Sequence, residues 1–317
     1  MFVPNICFAQ PAGNPMQTHL DCLVCFMRQA LAAARLGSVD PALHRKVIDE
    51  TGRMLADLDL EKSPPENAVF LYRLIADLTG NSDPFVGLKR ESNEFALSMR
   101  DQISNTIVGA SDPLRAALRF AACGNIIDYA AQHSFDAAVT MAECGSQSFV
   151  LDDYPRLLEK LEHADQEKTK ILYLADNCGE LVFDSLLIGE LQRLGCVVTL
   201  AVRGAPVIND ATMDDVHACG LDTLCRVIDN GTDCPGTPLA DCSDIFQQAF
   251  ADADVILSKG MGNFETLSDV SAPLFFLFTV KCMRVASYLH KATGKNAKEI
   301  AGSGEMVFVA QNTLLPG

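Results

Sequence analysis

The sequence predicts an α/β protein: a Rossmann-like doubly wound, mostly parallel sheet with an N-terminal α-helical subdomain. Two observations carry that reading. From about residue 134 onward, short apolar runs alternate with segments of helical period, the grammar of βα units. Before that point, helical segments punctuated by proline and glycine follow one another without strands. The chain therefore divides into 1–133, the helical subdomain, and 134–317, the sheet-bearing domain expected to hold metal and substrate.

Residues 1–17 are rich in Pro, Gly, Asn and Gln and aperiodic, so they read as an extended lead-in. Thr18 or Asp21 can cap a first helix that runs through CLVCFMRQALAAARL and stops at Gly37. Cys22 and Cys25, three apart, share one helical face. With His19 the spacing H-x2-C-x2-C invites a zinc or redox reading. A structural zinc wants four ligands, however, and Cys7 is the nearest spare thiol, so two small buried hydrophobes is the plainer reading. Asp40-Pro41, Ser63-Pro64 and Ser111-Asp112-Pro113 each place proline in the first turn of a further helix, and residues 84–108 form another. In the helix that Pro113 starts, GNIID (Gly124–Asp128) interrupts an apolar pattern at Gly124 and Asn125. That is either a helix break satisfied by local hydrogen bonds or a functional site.

The expected strands are 149–151, 171–175, 197–202, 224–228, 254–258, 274–278 and 306–310. Open α/β sheets bind ligands beyond the carboxyl ends of their strands, and here those ends are polar. Asp176, Asn177 and Glu180 follow the strand 171–175; Arg203, Asn209 and Asp210 follow 197–202. Lys259, Asn263 and Glu265 follow 254–258, and Lys281 follows 274–278. Parallel strands bring such turns to one rim. Two carboxylates and an amide, Asp176, Asp210 and Asn177, suit a hard or borderline divalent cation such as Mg²⁺, Mn²⁺, Co²⁺ or Ni²⁺. Lys259 and Lys281 could hold phosphate oxygens; the alternative is structural pairing with Glu180 or Glu265. Gly260 and Gly262 would let backbone approach an anion closely, and His217 reads as solvent-facing.

Other classes are disfavoured. No G-x-G-x-x-G follows a strand and no P-loop spacing occurs, so dinucleotide and nucleoside-triphosphate readings lose their support. A formal charge of −16 argues against nucleic acid as partner. No apolar run approaches membrane-spanning length and no basic leader opens the chain, so a cytoplasmic address is expected. Twelve cysteines scattered through predicted elements of such a chain are expected to be reduced.

The CLVC-x3-QAL opening, GNIID, LADNCGE, RGAPVINDAT, SKGMGNFE and VKC, in that order, resemble the metal-dependent damage-control phosphatases, once grouped as domain of unknown function 89, in their prokaryotic branch. The resemblance covers almost the whole chain. It implies a divalent metal held by Asp176, Asn177 and Asp210 and hydrolysis of small phosphate esters, sugar phosphates among them. It also implies a substrate pocket lined by Asn125, Asp128, Glu180, Lys259, Asn263, Glu265 and Lys281. One departure is Cys178, where the family turn usually has a small apolar residue. The expected mechanism is metal-assisted attack of water, with Lys281 and Lys259 neutralising phosphate oxygens and Glu180 or Glu265 accepting a proton. A covalent route through Asp176 is the other use of that residue. Two rivals are an S-adenosylmethionine-dependent carboxyl methyltransferase, described for a eukaryotic relative, and a non-catalytic metal or redox protein built on the Cys22/Cys25 pair.

Overall fold

A computed structural model of the chain describes residues 16–132, 145–162 and 168–314. The protein is mixed α/β, with one seven-stranded, mostly parallel sheet. Its strands are β1 (Leu151–Asp152), β2 (Lys170–Leu174), β3 (Val197–Val202), β4 (Arg226–Asp229), β5 (Val255–Lys259), β6 (Leu274–Val280) and β7 (Glu305–Ala310). Each coincides within a few residues with a predicted apolar run. The spatial order is β1-β7-β6-β5-β2-β3-β4, with β7 antiparallel to β6 and every other pair parallel.

The continuous apolar runs of β2, β5 and β6 are explained by helices on both faces. Ile171 and Tyr173 belong to one hydrophobic cluster and Leu172 and Leu174 to another, as period-two alternation requires. On the first face lie α4 (Val86–Val108), α5 (Pro113–Gln132) and α7 (Glu180–Arg193). The second face is covered by α9 (Asp244–Ala251), α10 (Met261–Leu267) and α11 (Met283–Thr293). The remaining described helices near the sheet are α6 (Tyr154–Glu162), α8 (Met213–Cys219) and the terminal turn α12 (Gln311–Leu314).

Helices α1 (Leu20–Gly37), α2 (Pro41–Leu55) and α3 (Pro64–Thr79) form a third cluster around Phe26, Ala30, Leu71 and Ile75. The proline starts hold: Asp40 caps α2 by accepting from the Ala42 amide, and Ser63 forms a reciprocal capping box with Glu66. The first helix differs from expectation, because His19 is its cap and Thr18 instead hydrogen-bonds the Lys62 carbonyl, tying the chain entry to the α2–α3 loop. Helix α5 runs through Gly124–Asp128 without a break; one glycine costs a helix only about 1 kcal/mol. The side chains of Asn125 and Asp128 lie outside the described residues. No helix among the described residues is long and apolar enough to cross a membrane.

The topology places the site. After β4 the chain returns to the far side of β2, so β5 and β3 flank β2 and the three strands end side by side. At such a reversal successive turns diverge onto opposite faces and leave a crevice at the carboxyl edge.

Candidate active site

That crevice is a cavity of about 240 Å³. Asp176, Asn177, Asn209, Asp210, Glu265 and Lys281 line it from the strand ends, and Phe26, Gln29, Pro64, Pro65 and Ala68 close it from α1 and α3. Turns far apart in sequence thus meet in one place. The turns after β2 and β3 are stitched by backbone: Asn177 and Asp210 form an isolated antiparallel bridge, the Ala211 amide donates to the Asp176 carbonyl at 2.8 Å and the Cys178 amide to the Asn209 carbonyl at 2.9 Å. Ile208, just before Asn209, has φ +46°, a strained value for a β-branched residue and the sole non-glycine case of positive φ among the described residues.

Asp176 sits where a side chain at position 260 would otherwise be. Gly260 has φ +82°, and a Cβ built there would lie 2.1 Å from the Asp176 carboxylate. The close approach expected of Gly260 is therefore to the protein's own anion. Gly262 serves a different neighbour, the Pro235 carbonyl, which would be 2.0 Å from its Cβ. Between them α10 is anchored by the fully buried Phe264, whose ring lies 4.7 Å from Phe278, 5.0 Å from Phe276 and 5.6 Å from Tyr288. This fixes the turn that presents Glu265 to the cavity.

Behind the cavity lies a layer of buried charge. Arg203 is 3 % exposed; its Nε donates to Asp210 at 2.6 Å and one terminal nitrogen to Asn263 at 2.9 Å and the Gly236 carbonyl at 3.0 Å. Its other terminal nitrogen is 3.8 Å from Asp176. The two candidate metal carboxylates thus share one guanidinium. Lys259, 1 % exposed, does not line the cavity: its ammonium donates to Glu180 at 2.7 Å and Asp184 at 2.8 Å. Of the two uses expected for Lys259, the structure displays the ion pair. Glu180 is likewise buried, and its second oxygen accepts from the Asn177 amide at 2.8 Å. Asn263 donates to the Ala175 and Lys259 carbonyls, bracing the strand ends.

The electrostatics follow from this crowding. Burial, then the neighbouring Asp210 and Glu180 charges, push Asp176 well above the usual carboxylate range, against the pull of Arg203 and Lys259. Burial also raises Asp210, opposed by Arg203. Glu265, which lines the cavity, is pushed by burial up to about 8. Burial alone would depress Lys259, but the Asp184 and Glu180 carboxylates outweigh it and raise it. Three buried acids, Glu180, Asp184 and Asp210, and the part-buried Asp176 crowd around two buried bases, Lys259 and Arg203.

Among the described residues no group of three or more His, Cys, Asp or Glu side chains is arranged to hold a metal ion. Two carboxylates plus an amide are what the rim offers. Among the described residues His19, Cys22 and Cys25 form no such group, and Cys7 lies outside the described residues; His19 Nδ1 accepts from the Asp21 amide, Cys22 from the His19 amide, and Cys25 from the Gln29 side chain. Cys178 is fully buried and off the cavity wall, and His217 is exposed. Sequence reasoning missed Asp184, although its place one turn beyond Glu180 on α7 was a visible signal. It also missed the cavity-closing residues of α1 and α3, which carry no local mark of that role.

Fold and cavity together define an α/β protein with an acidic pocket at the strand ends, backed by paired buried charges. The model of the damage-control phosphatase ARMT1-like domain matches residues 18–297, and the chain belongs to that family. Damage-control phosphatase PH1575 of Pyrococcus horikoshii is 33% identical over 283 residues, 88% of this chain and 96% of that one. A damage-control phosphatase of Archaeoglobus fulgidus is 31% identical over 276 residues, covering 84% and 92%. The crystal structure of a DUF89 family protein from Pyrococcus horikoshii superposes with a TM-score of 0.83 at 29% identity, over 93% of this chain and 99% of that one.

Proposed function

We propose that the protein is a divalent-metal-dependent phosphatase acting on small phosphate monoesters, sugar phosphates or related phosphometabolites, in the cytoplasm. The observation that carries this is the convergence of Asp176, Asn177, Asp210, Glu265 and Lys281 on one cavity. The relatives named as damage-control phosphatases support the reaction class. On this reading the sheet is Rossmann-like and doubly wound, supported by the reversal of strand order at β2, and the helical subdomain 1–133 closes the site through α1 and α3 while its α4 and α5 cover one face of the sheet.

The residues fit a cation. Two crowded carboxylates that repel one another, Asp176 and Asp210, are what a divalent ion would relieve. Asp176, Asp210 and the Asn177 amide oxygen would hold it, Mg²⁺, Mn²⁺, Co²⁺ or Ni²⁺ all accepting such donors. Bound there, the ion supplies Lewis-acid polarisation of a phosphate oxygen and acidifies water.

The protein's own groups divide the remaining work. Lys281, on the cavity wall after β6, pairs with the other phosphate oxygens and stabilises charge growing on them. Glu265, with its carboxyl near 8, keeps a proton at neutral pH and can hand it to the leaving oxygen; the carboxylate this leaves can then take the proton released by the attacking water. Glu180 orients Asn177 rather than meeting substrate, and Arg203 holds Asp210 and Asn263 in place. Asn209 lines the cavity; Asn125 and Asp128 are retained as substrate-binding candidates.

The methyltransferase reading finds less support. The end of β3, where an acid would meet the ribose of S-adenosylmethionine, carries Arg203, buried against Asp210. The test is to strip the protein with chelator and assay p-nitrophenyl phosphate and a panel of phosphorylated metabolites with each metal, alongside thermal shift. Metal-dependent hydrolysis and stabilisation by Mn²⁺ support the proposal; stabilisation by S-adenosylmethionine with no hydrolysis under any metal overturns it.

A further inference from the structure

Asp184 has no part in the cavity, yet it is fully buried and two donors converge on it. The Tyr173 hydroxyl, from β2, donates to its Oδ1 at 2.6 Å and the Lys259 ammonium, from β5, to the same oxygen at 2.8 Å. Lys259 also donates to Glu180 at 2.7 Å, and the other Glu180 oxygen receives the Asn177 amide nitrogen at 2.8 Å. An unbroken relay of side-chain hydrogen bonds therefore runs from Tyr173 through Asp184, Lys259 and Glu180 to Asn177.

We infer that Asp184 is a positioning residue for the cation site: by sharing Lys259 with Glu180 it fixes the Glu180 carboxylate, and through it the plane of the Asn177 amide whose oxygen would hold the ion. The inference rests on the metal-phosphatase reading above. It extends it to a residue that touches neither cavity nor ligand.

A purely structural role for Asp184 accounts for less of the geometry. One carboxylate, Glu180, already neutralises Lys259, so a second buried acid adds desolvation cost. That cost is unrelieved in part, because Asp184 Oδ2 is buried without a hydrogen-bond partner. What the second acid adds is constraint. With a single acceptor the Lys259 ammonium could rotate with Glu180; held between two, it fixes Glu180 relative to β2 and β5. The oxygen of a planar amide lies across from its nitrogen, so anchoring the Asn177 nitrogen on Glu180 at 2.8 Å, with a longer bond to Asp176 at 3.3 Å, sets where its oxygen points. Groups that hold metal ligands in this way typically contribute 10–100-fold to metal affinity.

The test uses the full chain, freed of metal, with Mn²⁺ affinity measured by calorimetry in the absence of substrate. Asp184→Asn keeps the shape and removes the charge; Tyr173→Phe removes one hydroxyl and leaves every charge in place. Asp184→Asn is expected to weaken Mn²⁺ binding about 10–100-fold, and Tyr173→Phe roughly threefold to tenfold in the same direction. In both, raising Mn²⁺ should restore most of kcat on p-nitrophenyl phosphate, because the ligands themselves are intact; a loss of packing alone would not be rescued. A folded Asp184→Asn protein that binds Mn²⁺ within twofold of wild type overturns the inference. If that variant does not fold, Tyr173→Phe decides, and unchanged affinity overturns it equally. Wild-type protein that binds no Mn²⁺ sinks the metal-phosphatase reading, and the inference with it; a binding wild type with unaffected variants sinks the inference alone.

Discussion

The two walls of the cavity differ in kind. The strand-end wall is polar, with Asp176, Asn177, Asp210, Glu265 and Lys281; the wall from α1 and α3 carries Phe26, Pro64, Pro65 and Ala68, with Gln29 as its polar group. Asp210, and at 3.8 Å Asp176, are braced by the buried Arg203, whereas the helical wall is held mainly by the apolar cluster around Phe26, Leu71 and Ile75. The difference assigns tasks. Groups that handle charge sit on the rigid sheet, where a displacement of 1 Å is costly, and groups that select shape sit on a separately packed helical layer.

The sharpest way to break that comparison is to remove charge from the strand-end wall. Asp176→Ala is expected to lower metal-dependent turnover of p-nitrophenyl phosphate on the order of 10³-fold or more, as befits a lost cation ligand. The metal-free variant should melt no lower than wild type, because one of several crowded acids is gone. Steady-state kinetics and a thermal melt check both halves; retained activity would move the chemistry elsewhere. Next, Lys281→Ala should raise KM for phosphate esters and the inhibition constant of inorganic phosphate together, by roughly ten- to a hundredfold, the worth of a hydrogen bond to a charged group.

Changes on the helical wall should be smaller and of another type. Ala68→Leu narrows the cavity from α3 and is expected to raise KM for bulky esters about tenfold relative to p-nitrophenyl phosphate while kcat holds. A comparison of two esters of different size measures it. A fall in kcat for both would mean that the helical wall takes part in the chemistry.

The pH response sharpens the contrast further. Glu265 titrates near 8 in the folded chain against 4.5 in a solvated one, so between those values the folded state keeps a proton that the unfolded state has lost. Stability of the metal-free protein should therefore fall as pH rises through that window, and Glu265→Gln should flatten the fall by on the order of a few degrees. Melting temperatures at pH 5, 7 and 9 test the sign. The smallest effect is expected from Cys22→Ser and Cys25→Ser, half-buried thiols off the cavity wall, with activity within about twofold of wild type.

Much of this was legible in the chain. Seven apolar runs became seven strands because continuous burial on two faces leaves a compositional trace, and Asp40, Ser63 and the prolines marked helix starts by their local chemistry. The gathering of Asp176, Asn177 and Asp210 could be anticipated from parallel strand ends alone. The orientation of Lys259 could not: a lysine after a strand looks the same whether it reaches a ligand or turns back onto α7, and only the packing of Glu180 and Asp184 decides. The capping of α1 by His19 was hidden for a similar reason, since Thr18 was drawn to Lys62 across the α2–α3 loop. Nor does any pattern in PPENA announce that Pro65 and Ala68 face the cavity.

The Asp176 carboxylate occupies the volume that any side chain at position 260 would claim. Those two positions, more than eighty residues apart, are therefore a single heritable unit. A methyl group gained at 260 would evict the acid, so position 260 can change only where position 176 has already given way. Drift in this part of the protein is confined by atoms that are missing rather than by atoms in contact.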